Sequence, residues 1–337
     1  MRALFLLQVH DNAQQVASLL DFIYDQDFYY LISVDDIANF NIGLIEQIFT
    51  QRGHKNFAIR ASFPVAWGGF SQVLAWIDAL RFATKHFQDW DYALNLSGAC
   101  LPIRPLSDLK KILNELKDGK ADVVIQHVGT PPWTKDDNKQ AFFDYDWVSN
   151  KNNNELINSS FSNRVKVVFQ QEAEKYFWSN LDINPIMKWY LRMGLHCQDF
   201  YGAKTLGIRH LFPHEVKTRS RFLSEIEFRT GRVWFVMGRS FVVRMLLDPI
   251  FEKIVDGFDN SLCADEQVFS SYVATLARNG SINPVNWNLH YKSGDPIDVE
   301  DQIADKLLGS GAYFVRKVNY QNCPGLLSDI KNIMTKK

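Results

Sequence analysis

The sequence predicts an α/β protein on a mostly parallel sheet with helices on both faces, and three observations carry that prediction. Strand-like apolar runs alternate with amphipathic helical patterns through residues 1–126, the signature of β–α–β units. The pattern breaks over 127–230 and returns after Thr230. The chain has 337 residues, 46% of them hydrophobic and 14% aromatic, which is enough to fill a sizeable core and excludes global disorder.

The elements follow in order. Ala3–Val9 is a nearly continuous apolar run and the first buried strand. Over 13–24, Val16, Leu19, Leu20 and Ile23 recur at helical spacing. A second strand spans 28–34 and ends at Asp35-Asp36; a helix spans 42–52 and a short strand 57–59. The long helix 71–87 carries Val73, Leu74, Ile77, Leu80 and Phe87 on one side. A strand at 92–96, a helix at 106–115 and a strand at 122–126 complete the first half. Thr130-Pro131-Pro132-Trp133 and the run 151–154 mark loops, with helical patterns at 172–178 and 186–192. After Thr230 come a strand at 233–237, helices at 240–247 and 265–277, and a strand at 313–318. No internal repeat is visible, so one domain (1–337) with an elaborated middle is expected.

Several function classes are disfavoured. The net charge of -1 gives no bulk attraction to nucleic acid; the basic run Lys217-Thr218-Arg219-Ser220-Arg221 reads as a solvated loop. Cys100, Cys197, Cys263 and Cys323 form no CxxC pair, which argues against a zinc site and fits thiols in a reducing compartment. The apolar run at the N-terminus is too short for a signal segment, and none reaches the ~20 residues of a membrane span. The expectation is a cytoplasmic protein with at most peripheral membrane contact. The first strand leads into Val9-His10-Asp11-Asn12-Ala13 without a glycine, which argues against a dinucleotide site, and no P-loop is present.

Four segments carry candidate chemistry. Asp89-Trp90-Asp91 has the spelling of a metal-binding pair, but it precedes the strand at 92–96, whereas ligands sit beyond carboxyl strand ends. Asp144-Tyr145-Asp146 is a loop alternative. Arg316-Lys317 suits a phosphate group, or is a charged pair on a terminal strand. Asp265-Glu266 reads either as the acidic first turn of a helix or as a general base. Composition by itself favours the bland reading of both pairs. Trp133, Trp147, Trp178 and Trp189 in the middle region serve acceptor stacking and core packing equally well.

Taken in order, four blocks resemble the core-2/I-branching β-1,6-N-acetylglucosaminyltransferase family, which also contains peptide O-xylosyltransferases. The first runs from Val9-His10 through Leu19-Leu20-Asp21-Phe22-Ile23-Tyr24 to Ile32-Ser33-Val34-Asp35. The second is Val65-Ala66-Trp67-Gly68-Gly69-Phe70-Ser71-Gln72-Val73. The third is Asp89-Trp90-Asp91-Tyr92-Ala93-Leu94-Asn95-Leu96-Ser97-Gly98, with Pro102 beyond it. The fourth runs from Gly231-Arg232-Val233-Trp234 through Ala264-Asp265-Glu266 to Phe314-Val315-Arg316-Lys317.

The resemblance implies a GT-A-type fold and inverting, metal-independent transfer of a sugar, with GlcNAc foremost, from a UDP-sugar to a glycan or glycolipid hydroxyl. It implies a bacterial relative working on capsule or lipopolysaccharide precursors. Glu266 would be the base. Val9, His10, Asp35, Trp67, Ser71, Gly98, Arg316 and Lys317 would bind the donor, and Asp265, Arg232 and Trp234 the acceptor. No metal or other cofactor is expected, and oligomeric state stays open. Residues 1–126 become a nucleotide-binding half, 127–230 an acceptor-side insertion, and 231–325 the catalytic and phosphate-binding half. Three departures stand out. Cys100 replaces the family's aspartate, Asn288-Leu289-His290-Tyr291 lacks the tryptophan that often follows it, and no arginine lies between Ser293 and Gly311. Arg316 is the candidate for that missing arginine. UDP-xylose, UDP-glucose and a non-catalytic glycan-binding descendant remain alternatives.

Overall fold

A computed structural model describes residues 1–35, 40–62, 65, 70–129, 145–149, 211–215, 225–259, 261, 263–287, 289–292, 307 and 309–335. The predicted helices at 172–178 and 186–192 lie outside these residues.

Seven strands form the central sheet: β1 (Ala3–Val9), β2 (Tyr29–Asp35), β3 (Phe57–Ser62), β4 (Tyr92–Ser97), β6 (Val123–Gly129), β9 (Thr230–Gly238) and β10 (Pro284–Val285). Their order is β10-β6-β9-β4-β1-β2-β3. All run one way except β9, which is antiparallel to both β4 and β6. A smaller sheet joins β5 (Leu101–Pro102), β12 (Phe314–Arg316) and β11 (His290–Lys292). In the middle region β7 (Tyr145–Ser149) pairs antiparallel with β8 (Leu211–Glu215); no strands are predicted there from the sequence.

The helices cover both faces of the sheet. Alternation along β1 sends Leu4 and Leu6 into one core with α3 (Ser71–His86), α5 (Arg239–Leu247), α6 (Pro249–Gly257) and α7 (Val268–Arg278). It sends Phe5, Leu7 and Val9 into the other with α1 (Ala13–Ile23), α2 (Ile42–Gln51) and α4 (Leu106–Asp118). The result is the mostly parallel, helix-flanked sheet that the alternation predicts. A third cluster seats α8 (Pro324–Thr335) against β5 and β12 through Leu326, Ile330, Leu101 and Val315. Among the described residues no helix is long and apolar enough to cross a membrane.

One polar side chain extends the ladder between β4 and β9. Its last backbone pair is Leu94 with Val236. Beyond it, buried Asn95 donates to the Val233 carbonyl at 2.9 Å and accepts from the Phe235 N–H at 2.7 Å. An alanine leaves both backbone groups without that partner, at about 1–3 kcal/mol each. Asn95→Ala is therefore expected to lower unfolding free energy by about 2–5 kcal/mol, read as a lower urea midpoint at unchanged slope. A loss below about 0.5 kcal/mol, the size of an ordinary surface change, would contradict this.

Candidate active site

The carboxyl ends of the parallel strands share one edge. Register aligns Gln8 with Ser97, Val9 with Val34 and Asp35 with Ser62. Val9 is fully buried there, and the exposed His10 lies 3.7 Å from Asp11. Asn12, in the left-handed region at φ 49°, caps α1 by accepting the Gln15 N–H at 3.0 Å. Asp35 is buried and accepts the Val65 N–H at 3.1 Å. Gly98 follows β4, where a Cβ would meet Val16 Cγ2 at 3.0 Å; glycine permits the close approach of α1. Ser71 is the first residue of α3 and is half-buried. Trp67 lies outside the described residues.

At the opposite edge, Asp91 accepts the Arg2 N–H and pairs with Lys117 at 2.8 Å, while Asp89 lies 3.5 Å from Arg2. The Asp89–Asp91 run therefore sits at the amino end of β4, in surface ion pairs. Of the other acidic candidate, Asp144 lies outside the described residues and Asp146 falls on β7.

A single side chain ties the phosphate candidates to the strand ends. Gln15, buried on α1, donates to the carbonyls of Gly98 (2.8 Å) and Val318 (2.9 Å) and accepts the Tyr320 N–H (3.1 Å). The Val318 N–H donates to the Ala99 carbonyl at 3.0 Å, and the Tyr320 hydroxyl to the Cys100 carbonyl at 2.8 Å. These bonds fix the segment after Lys317 beside Gly98. The strand predicted over 313–318 is shorter, ending at Arg316, because Val318 bonds to the Ala99 loop. Sequence reasoning passed over Gln15; its one signal is a polar residue beside an apolar helical stripe.

The helix predicted over 265–277 is also corrected. Asp265 and Glu266 lie on a separate 3-10 turn, Ala264–Glu266, and the α-helix starts at Val268. The i to i+3 bonds Glu266 N–H to Cys263 O (3.1 Å) and Gln267 N–H to Ala264 O (3.0 Å) tighten the turn. Cys263 at φ 51° and Gln267 at φ -114° break helical continuity on either side. The turn packs against β9, α3 and α7. Asp265 is buried and Glu266 half-buried. Burial, and then the neighbouring Glu266 carboxylate, push Asp265 up to about 7, against backbone N–H bonds and the Arg316 cation, which act the other way.

That cation belongs to an aromatic stack. The Arg316 guanidinium lies 4.4 Å from the centre of the Trp234 ring. Trp234 in turn stacks on His290 (4.6 Å, 26°), and His290 on Phe314 (5.0 Å, 21°). Trp234 is only 8% exposed, so little of its ring is open to solvent. His290 Nε2 lies 3.7 Å from Cys100 Sγ, which also takes the Ser97 N–H at 3.3 Å. Burial, with Arg316 second, holds His290 well below the usual imidazole range, and burial raises the Cys100 thiol; both are neutral at pH 7. Arg232, two residues before Trp234 on β9, has a buried Nε without a hydrogen-bond partner among the described residues.

Gly98 and the segment after Lys317 are tied together through Gln15, with Val9 beside Gly98 and Asp35 one strand further out. Arg316 lies on Trp234 of β9, and the turn carrying Asp265 and Glu266 packs against the same strand. His290 enters the site through the stack, a role the sequence does not signal.

A family model described as Core-2/I-Branching enzyme matches residues 4–166 and 201–300. Xylosyltransferase sqv-6 of Caenorhabditis elegans is 32% identical over 124 residues, covering 36% of this chain and 15% of that protein. Xylosyltransferase 1 of Homo sapiens is 29% identical over 121 residues, covering 35% of this chain and 12% of that protein. The chain thus spans a small part of the length of these relatives. Among solved structures, the WbbM bifunctional glycosyltransferase is similar at a TM-score of 0.36 and 11% identity, covering 99% of this chain and 50% of that one.

Proposed function

The chain belongs to the Core-2/I-branching enzyme family, and we propose that it is an inverting glycosyltransferase using a UDP-sugar as donor and a glycan or glycolipid hydroxyl as acceptor. Glu266 takes the acceptor proton, the oxygen attacks the anomeric carbon, and the bond to the diphosphate breaks with its electron pair leaving on UDP. Lys317 stabilises the charge that grows on the departing phosphate, so the reaction needs no divalent ion. Val9, His10, Asp35, Ser71 and Gly98 line the nucleotide side, and Arg232 with Asp265 the acceptor side.

What supports this reading is that the segment after Lys317 is tied through Gln15 to Gly98 at the carboxyl edge of the sheet, where α/β proteins bind ligands, while the Asp265–Glu266 turn packs on β9, the strand whose Trp234 carries Arg316. The raised Asp265 matters to the chemistry. Two adjacent carboxyls do not readily ionise together. Burial and the Glu266 carboxylate push Asp265 up to about 7, and this reading gives the base role to Glu266, the less buried of the two.

GlcNAc is the first donor to test, with surface-polysaccharide precursors in the cytoplasm as the acceptor class. A second reading, UDP-xylose, is favoured because the relatives named above are xylosyltransferases. The deciding experiment measures UDP release from a panel of UDP-sugars, with and without EDTA, for wild type and Lys317→Ala. Release from one donor that EDTA leaves unchanged is expected. In Lys317→Ala, release should slow and UDP affinity fall about 10-fold, in line with loss of a charge-assisted bond. Abolition by EDTA would overturn metal independence. Absence of UDP binding by calorimetry would favour a glycan-binding descendant instead.

A further inference from the structure

We propose that Tyr320 is the positioning residue for Lys317, holding that cation at the carboxyl edge of the sheet through bonds at both its backbone and its hydroxyl. The inference rests on the transferase reading, in which Lys317 is the cation for the donor phosphate. It deepens that reading by naming what keeps the cation in place.

Lys317 lies one residue beyond the end of β12, past the last ladder pairs with β5 and β11. An ammonium on a long flexible stem is aimed only as well as its backbone is held. Three residues on, Tyr320 is held from two directions. Its N–H donates to Gln15 Oε1 at 3.1 Å, and its hydroxyl donates to the Cys100 carbonyl at 2.8 Å. Gln15 belongs to α1, and Cys100 to the loop between β4 and β5. One residue near the C-terminal end of the chain thus bonds to two elements of its first half.

Packing supports the same arrangement. Val318 and Tyr320 are buried in one cluster with Leu101, Ile103 and Ile330, while Lys317 and Asn319 are half-buried. Burial raises the Tyr320 phenol well above its usual range, so the hydroxyl keeps its proton and donates near neutral pH. Beyond Lys317 the Val318 N–H donates to the Ala99 carbonyl at 3.0 Å, and the Val318 carbonyl accepts from Gln15 at 2.9 Å. The chain then turns at Asn319, which accepts the Gln321 N–H at its side chain and the Asn322 N–H at its carbonyl, both at 3.0 Å. Tyr320 therefore closes a clasp between residues 318–320 and 98–100, with Lys317 at its open end. Its hydroxyl is the member that a one-atom change removes, leaving the ring packing and the Gln15 bonds in place.

The test is Tyr320→Phe, made in wild type and in Lys317→Ala. Hydrogen exchange of the Val318 amide should quicken about 5-fold, the equivalent of one ordinary hydrogen bond. The Kd for UDP, read by calorimetry, should rise by about the same factor in the wild-type background. In the Lys317→Ala background the same change should move it by less than about 2-fold, because the effect runs through the ammonium. Tyr92→Phe is the control, since the Tyr92 hydroxyl donates to the Ala121 carbonyl at 2.9 Å from the amino end of β4. It removes an equivalent bond at the opposite edge and should leave UDP affinity unchanged. Unaltered Val318 exchange in Tyr320→Phe overturns the proposal. So does faster exchange with unchanged UDP affinity, where Lys317→Ala weakens binding. An equal loss of affinity in both backgrounds, or in Tyr92→Phe, also overturns it, because the effect then bypasses Lys317. Faster exchange in a protein that binds no UDP, or whose UDP affinity Lys317→Ala leaves unchanged, would uphold the clasp and sink the donor role of Lys317.

Discussion

Glu266→Gln is expected to lower sugar transfer by about 10²–10⁴-fold, the span a positioned general base contributes, while UDP affinity stays within about 2-fold of wild type. The amide matches the carboxylate in size and cannot accept the acceptor proton. Glu266 lies on a 3-10 turn braced by backbone bonds to Cys263 and Ala264, so the substitution should leave the turn in place. Single-turnover transfer with the preferred donor, set beside calorimetry with UDP, reads both halves of the prediction. Near-normal turnover in Glu266→Gln would move the base to another residue, with Asp265 first in line. A joint loss of turnover and UDP binding would mean that the substitution disturbed the pocket rather than the chemistry.

Gln15→Leu is expected to cost stability and donor affinity together. The side chain bonds to Gly98, Val318 and Tyr320 at once. Leucine fills similar space and leaves three backbone groups without these partners, two of them fully within the interior. At about 1–3 kcal/mol for each lost buried partner, and with some relaxation, the loss should be about 3–5 kcal/mol. UDP affinity should fall about 10-fold, as Lys317 is released from its place beside Gly98. Denaturant unfolding and UDP calorimetry on the folded variant separate the two effects. Gln15→Glu, which keeps the acceptor for Tyr320 and loses the donor, should be intermediate in stability. Full stability in Gln15→Leu would show that this tie is dispensable.

Much of the fold is legible along the chain because a buried strand and an amphipathic helix each write their period locally. The elements of the first half match their predicted positions to within a few residues, the common uncertainty of element ends. Two helices were passed over although their starts are marked. Asp248 caps α6 by accepting the Ile250 N–H, with Pro249 at its first position, and α8 opens on Pro324. The misassigned start at Asp265 has a different cause. Acidic residues before an apolar run suit an α-helix and a 3-10 turn equally, and packing against β9 and α3 makes the choice.

By itself the sequence determined an α/β chain on a mostly parallel sheet, and it offered the Asp265-Glu266 and Arg316-Lys317 pairs as candidates whose roles came from the family resemblance. The fold rests on short-range periodicity, which needs no knowledge of neighbours in space. Only the tertiary structure decided that Arg316 lies on Trp234, that His290 stacks behind that ring, and that Gln15 holds the segment after Lys317 to Gly98. Each of these joins residues from separate segments. Such contacts are set by how whole elements pack around shared cores, and no local pattern records them.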